Sequence, residues 1–286
     1  MLEPRPLAVP DTVPLFVPLR AGLLTLLRSL EPADWDRPTI AGAWRVRDVA
    51  AHLLDGELRK LAAHRDGHAL ATGGEVRTYD DVVALIQRLN AEGVAAGRHL
   101  SARLLIDLLA VTGEWMRTFV AALDPEARAL FPVGWAGEAE STNRFDTARE
   151  YTERWHHEMQ IRAPLGSRGH AETLLAEEFA APLLETAVRV LPHAYRAESA
   201  AEGATVVIAI EESTWARAYT VRRDAGVWQL YAGETPEPTA RVAGSADAWW
   251  RLFFNALPPN EVSHAFAATG APSALAALWR ARSVMV

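Results

Sequence analysis

Glu153 and His157 stand four residues apart in the run Arg149-Glu150-Tyr151-Thr152-Glu153-Arg154-Trp155-His156-His157. On a helix that spacing puts both side chains on one face, where a carboxylate and an imidazole can grip a common cation. Two ligands hold a metal weakly, and a third candidate lies far upstream. His52 sits in Val49-Ala50-Ala51-His52-Leu53-Leu54, whose apolar residues turn that side of a helix toward an interior. An imidazole buried there without a partner costs on the order of 1–3 kcal/mol. Three protein ligands with one position left open is the pattern of catalytic zinc, since structural sites fill all four places. Spacing leaves other readings open. Glu153 and His157 also read as a solvated i,i+4 pair among Arg149, Glu150, Arg154 and Glu158, and His52 as an ordinary core histidine. Glu153-x-x-His156 equally suits a bundle metal site at i,i+3, so spacing does not choose between His156 and His157. A His₂Glu set accepts Zn²⁺, and also Ni²⁺, Fe²⁺ or Mn²⁺.

The elements that must position these residues follow from periodicity. From Thr12 to about Ala163 apolar residues recur at helical spacing, which predicts helices near Thr12–Leu30, Val46–Ala69, Tyr79–Leu100, Ser101–Leu123 and Asn143–Ala163. Pro125, Pro132, Gly134 and Gly137 make residues 124–142 a long loop, and a loop of that length reads as functional, here a lid carrying Trp135. A further helix is expected over Ala171–Leu191. Period two then takes over in Thr205–Ile210, Ala216–Arg222 and Val227–Ala232, which predicts an antiparallel meander. A fourth strand near Ala240–Val242, a helix at Ala246–Phe254 and a last helix near Pro272–Arg282 complete the chain. The expected fold class is α followed by α+β: a helical bundle over residues 1–166 and a smaller domain over 167–286 with an antiparallel sheet and helices.

Composition narrows the function. At 286 residues the chain is long enough for two domains, and with 50% hydrophobic and 23% charged residues it reads as globular. A net charge of -7 without a basic tract offers nothing to nucleic acid or to an anionic membrane. There is no cysteine, so disulfides, a Cys nucleophile and thiolate ligands are all excluded, and any thiol chemistry needs an outside thiol. The first apolar stretch is broken by Pro14, Pro18 and Arg20 and reads as neither export signal nor membrane span, which places the protein in the cytoplasm.

The segment Trp35-Asp36-Arg37-Pro38-Thr39, then Trp44-Arg45-Val46-Arg47-Asp48-Val49-Ala50-Ala51-His52-Leu53, resembles the start of mycothiol-dependent maleylpyruvate isomerase and the wider DinB-like metal-binding superfamily. The run from Arg149 to His157, continuing to Gln160-Ile161-Arg162, resembles the same family. The resemblance implies an up-down four-helix bundle of DinB-like type. It implies that the His of Trp-x-Val-x-Asp-x-x-x-His and the Glu and His of Glu-x-x-x-His bind zinc, which here are His52, Glu153 and His157, with His156 at a variable position. Ala240 to Ser245 and the Trp249-Trp250 helix look, more weakly, like the family's C-terminal domain. Arg45 departs from the family's Ser or Thr, a natural N-cap partnered by Asp48, at a cost on the order of 1 kcal/mol.

In that family the open zinc position takes the sulfur of a low-molecular-weight thiol, such as mycothiol or bacillithiol, for attack on a small electrophilic substrate. The resemblance thus implies a thiol-dependent isomerase or S-transferase, monomeric or homodimeric. Two alternatives stand beside it: a zinc hydrolase using metal-bound water, and a non-enzymatic metal-containing ligand-binding or stress-response protein with an apolar pocket among Trp215, Trp228, Trp249, Trp250 and Trp279. Around the metal, Glu150 and Asp146 are candidates to orient ligands or accept a proton, and Arg154 to pair with an anionic carboxylate. Trp135, Trp155 and His156 are candidates to line the pocket, against the ordinary reading of large aromatics as core.

Overall fold

The computed structural model describes residues 5–69, 71–72 and 74–284, which divide into two compact units. One comprises Asp11–Phe131 and Thr142–Leu174. The other takes the described residues up to Pro10, together with Pro132–Ser141 and those from Leu175 onward.

The first unit is an up-down helical bundle. Its helices are α1 (Phe16–Ser29), α2 (Val46–Lys60), α3 (Tyr79–Gly97), α4 (Ala102–Ala122) and α5 (Asn143–Arg162). Leu23 and Leu27 of α1, Val49 and Leu53 of α2, Leu109 of α4 and Ile161 of α5 share one apolar cluster. Burial of such side chains contributes about 1.5–3 kcal/mol each. Thus α1, α2, α4 and α5 form the four-helix core, while α3 packs along α2 and buries only Val94. No helix among the described residues is long and apolar enough to cross a membrane.

The start of α2 shows how the chain manages without a serine or threonine cap. Arg45 is the N-cap, and its side chain cannot accept the bond from the helix. Half of the capping box survives: the Asp48 carboxylate accepts the Arg45 backbone N–H at 3.0 Å, and Arg98 Nε donates to the same carboxylate at 3.1 Å. At its other end α2 does not run to Ala69. It passes into a π-helical turn over Leu61–Arg65 and stops at Asp66.

The second unit is built on a six-stranded sheet. Its strands are β1 (Arg5–Pro6), β2 (Thr205–Glu211), β3 (Ala216–Asp224), β4 (Val227–Ala232), β5 (Ala240–Gly244) and β6 (Phe266–Gly270), in the order β1-β4-β3-β2-β5-β6. Neighbours are antiparallel except β2 and β5, which run parallel. All but the last residue of β2 is buried, as expected of a central strand covered on both faces rather than a meander open to solvent on one. Periodicity missed β6 because Ala267, Ala268 and Gly270 have low strand propensity and the strand is exposed beyond Phe266. The single helix expected over Ala171–Leu191 is broken into α6 (Glu177–Ala187), a 3₁₀ turn at Val188–Val190 and α7 (Leu191–Tyr195), with Pro192 in the first turn of α7. The unit is completed by α8 (Ala246–Phe253), α9 (Val262–Ala265) and α10 (Ala276–Arg280). Trp249 and Trp250 are fully buried, and the indole N–H groups of Trp215, Trp228 and Trp249 donate to the carbonyls of Leu175, Glu198 and Ala209. These tryptophans are core residues of the sheet unit.

Candidate metal centre

The polar helix α5 buries sixteen of its twenty residues. A helix that is polar all round cannot be buried without partners, since each unpaired charge or donor costs several kcal/mol. The partners are present. Arg154 pairs with Glu150 on its own helix and with Glu57 of α2 at 3.3 Å, and its guanidinium lies over the Phe16 ring. Glu57 also accepts from Arg20 of α1 and Thr112 of α4. Lys60 donates to Asp146 and lies 3.7 Å from Glu150, while Arg149 reaches Asp146 at 3.1 Å and Glu150 at 3.0 Å. Arg162 clasps Glu158 with two nitrogens.

This scaffold brings His52, Glu153 and His157 together. One ligand-capable atom of each lies within 4.8 Å of the other two. His157 Nε2 is 3.3 Å from Glu153 Oε2. Tetrahedral ligands about 2 Å from a zinc ion stand roughly 3.4 Å apart, so this pair is already at ligand spacing. The two imidazoles meet edge to face with ring centroids 4.4 Å apart. His52 Nδ1 is buried and has no hydrogen-bond partner among the described residues. A buried imidazole nitrogen without a partner is a cost that nothing among the described residues offsets, and two imidazoles with one carboxylate are a donor set suited to zinc.

The protonation states also suit coordination. Burial, reinforced by the neighbouring His157, pushes His52 down to about 3, so its ring is neutral at pH 7. Burial opposes ionisation of Glu153 as well, but its hydrogen bond with His157 and the nearby Arg149 prevail and hold it at about 2, an anion. Metal ligands must be unprotonated, and His52 and Glu153 are.

Trp44 was not foreseen as part of the site. The turn that closes with Thr39 N–H donating to the Trp44 carbonyl, at 3.0 Å, delivers its ring 4.9 Å from His52 and 6.4 Å from His157, centroid to centroid. The signal available was its place at the head of the Trp-x-Val-x-Asp motif. Gln160 was also passed over. It bonds to both His156 and His157, and its offset of three and four residues from them was the signal.

The other candidates are placed differently. Trp155 is fully buried and donates to the Leu174 carbonyl at 3.1 Å, so it is a core residue. His156 is buried, with its Nε2 engaged by Gln160. Glu150 is held by Arg154, Lys60 and Arg149 against the cost of its burial, well below the usual carboxylate range, which leaves it a poor proton acceptor. Asp146 is lowered in the same way, and Arg154 is committed to two carboxylates. Trp135 lies in a one-turn helix, Gly134–Ala136, which belongs to the sheet-containing unit and packs beside α7. Its loop is fastened rather than free. Asn143 N–H donates to the Ala127 carbonyl at 2.8 Å, Arg144 N–H to Pro125 at 2.9 Å, and Val133 N–H to Ser141 Oγ at 2.8 Å.

A model of the mycothiol maleylpyruvate isomerase N-terminal domain matches residues 16–162, just over half of the chain. Among curated proteins no sequence match is found. The crystal structure of the mycothiol-dependent maleylpyruvate isomerase aligns with a TM-score of 0.55 at 14% identity, covering 92% of this chain and 93% of that one. A structure of a point mutant of that isomerase aligns over the same shares with a TM-score of 0.48 at 12% identity. At these identities the first likeness speaks for a common fold.

Proposed function

This chain belongs to the family of the mycothiol maleylpyruvate isomerase N-terminal domain, and from that premise we propose that it is a metal-dependent enzyme using a low-molecular-weight thiol, of the maleylpyruvate isomerase or thiol S-transferase type. The observation that carries the reading is the convergence of His52, Glu153 and His157 from two remote segments, with His52 neutral and Glu153 ionised. These three side chains hold one divalent ion, zinc in the first place, with nickel, iron or manganese acceptable to the same donors. Held there, such an ion would supply a Lewis acid that lowers the pKa of an outside thiol, favouring the nucleophilic thiolate at neutral pH. The chain has no cysteine, so that sulfur comes from outside, from mycothiol or bacillithiol.

The chain's own groups bind and orient. Trp44 covers the two imidazoles and limits the access of water to them. Glu150 and Arg154, locked in buried ion pairs on either side of Glu153, position the helix rather than exchange protons. Both arginines beside Glu153 already serve two carboxylates, but Arg149 has a fifth of its side chain exposed, and it is the one assigned to meet a carboxylate of the substrate or thiol in addition to Asp146 and Glu150. The substrate is a small electrophile with a conjugated or activated carbon.

The test is metal analysis of the full chain together with assays on an electrophile panel, with and without mycothiol or bacillithiol. One metal ion per chain is expected in the wild type. Metal and thiol-dependent turnover are both expected to be lost in His52→Ala, Glu153→Ala and His157→Ala. Equal metal content in wild type and all three variants would sink the reading, and turnover of esters or amides without thiol would replace it with metal-assisted hydrolysis.

A further inference from the structure

His156 and His157 are joined through one side-chain amide. Gln160 is 5% exposed, with its carbonyl Oε1 2.8 Å from His157 Nδ1 and its amide Nε2 2.9 Å from His156 Nε2. An amide nitrogen only donates and an amide oxygen only accepts. His156 Nε2 therefore accepts, and His157 Nδ1 carries a proton that it donates to Gln160. A neutral imidazole protonated at Nδ1 presents a bare lone pair at Nε2. His157 Nε2 faces Glu153 Oε2 at 3.3 Å, and the two meet as hydrogen-bond partners when a proton lies between them or as co-ligands when a metal ion does.

The opposite orientation of the amide has the opposite consequence. With Gln160 turned over, its NH₂ would donate to His157 Nδ1, and the His157 proton would move to Nε2. There it would donate to Glu153, and the pair would satisfy itself with no lone pair left for an ion. In the orientation seen, the NH₂ group is taken up by His156 Nε2.

We propose that Gln160 is a positioning residue that holds His157 in the tautomer able to ligate a metal, its carbonyl on His157 Nδ1 and its NH₂ on His156. The inference deepens the metal-site reading and rests on it. Residues behind a metal-bound histidine typically tune metal affinity by about 10–100-fold.

Two measurements on the full chain test it. The first is zinc affinity by competition with a chromophoric chelator, for wild type, Gln160→Leu and Gln160→Glu, alongside melting of each metal-free protein. Gln160→Leu is expected to bind zinc about 10–100-fold more weakly. Gln160→Glu is expected to stay within about threefold of wild type, because a carboxylate still accepts from His157 Nδ1–H. Wild-type affinity in Gln160→Leu, or an equal fall in both variants, overturns the proposal. The second is nitrogen-15 NMR of the imidazoles in metal-free wild type, where a proton on His157 Nδ1 supports the proposal and an unprotonated Nδ1 overturns it. Should the wild type take up no zinc, the metal reading falls by itself, and the tautomer still decides the role of Gln160.

Discussion

Replacing Glu57 by leucine tests whether ion pairing is what allows α5 to lie inside the bundle. Glu57 is on α2 and 3% exposed, and its two oxygens hold Arg20 of α1, Thr112 of α4 and Arg154 of α5. One carboxylate thus ties four helices. In Glu57→Leu, Arg154 keeps Glu150, but Arg20 is left with only the Leu109 carbonyl. Removing one partner of a buried pair costs about 3–5 kcal/mol, because the other charge stays buried and uncompensated. For a unit of roughly 150 residues each kcal/mol moves the melting point by about 2–4 °C, so a fall of about 6–20 °C is expected. Calorimetry is the suitable assay, because a chain of two compact units need not melt in one step. The double variant Glu57→Leu/Arg154→Met should lose less than the sum of its single losses, by about 0.5–3 kcal/mol, since it removes both members of one pair. A Glu57→Leu protein melting within about 2 °C of wild type would refute the argument.

Two further outcomes are expected. In metal-free protein the melting point should fall as pH drops below about 6.5. His52 and His64, which burial pushes down to about 3 and about 4, stay unprotonated in the fold, while unfolded imidazoles take up protons from about pH 6.5. Glu158, which burial pushes up to about 7, acts in the opposite sense between about 7 and 4.5 and makes the decline shallower there. Below about 4.5 the depressed Glu153 adds to the loss. Melting curves from pH 8 to 4 with chelator present check this, and a midpoint that rises between 6.5 and 5 would contradict it. The second concerns glycines. Gly270→Ala should destabilise the sheet unit by about 1–3 kcal/mol, because its φ is +87° and a Cβ would press on the Thr239 carbonyl and on Ala240 Cα, which cannot yield. Gly56→Ala, inside α2 with open space around it, should instead stabilise by about 0.4–1 kcal/mol. Calorimetric midpoints of the two variants check both signs.

Much of this architecture was legible because hydrophobic periodicity reports burial on one face. The helices of the bundle and the strands β2 to β5 announce themselves that way. The character of α5 did not, since Arg149, Glu150, Arg154 and Glu158 look like a solvated face until Glu57 and Lys60, nearly a hundred residues upstream, supply partners to Arg154 and Glu150. The same long range hid the parallel pairing of β2 with β5, which no local pattern encodes. Spacing could not choose between His156 and His157. The choice rests on which ring nitrogen faces Glu153 and which faces Gln160.

Buried ion pairs are often no more stabilising than apolar residues of the same volume, so a network this large calls for a reason other than stability. The placement of the ligands supplies one. Glu153 is bracketed on α5 by Glu150 and Arg154, which meet Lys60 and Glu57 of α2 in buried pairs. Any slide or rotation of α5 that spread His52 from Glu153 and His157 would first have to break contacts with α2, at about 3–5 kcal/mol for each charge left uncompensated. An apolar interface would resist such a slide less sharply, because its side chains repack in increments. The network therefore fixes the register of α5 against α2, and that register is what holds His52 within 4.8 Å of Glu153 and His157.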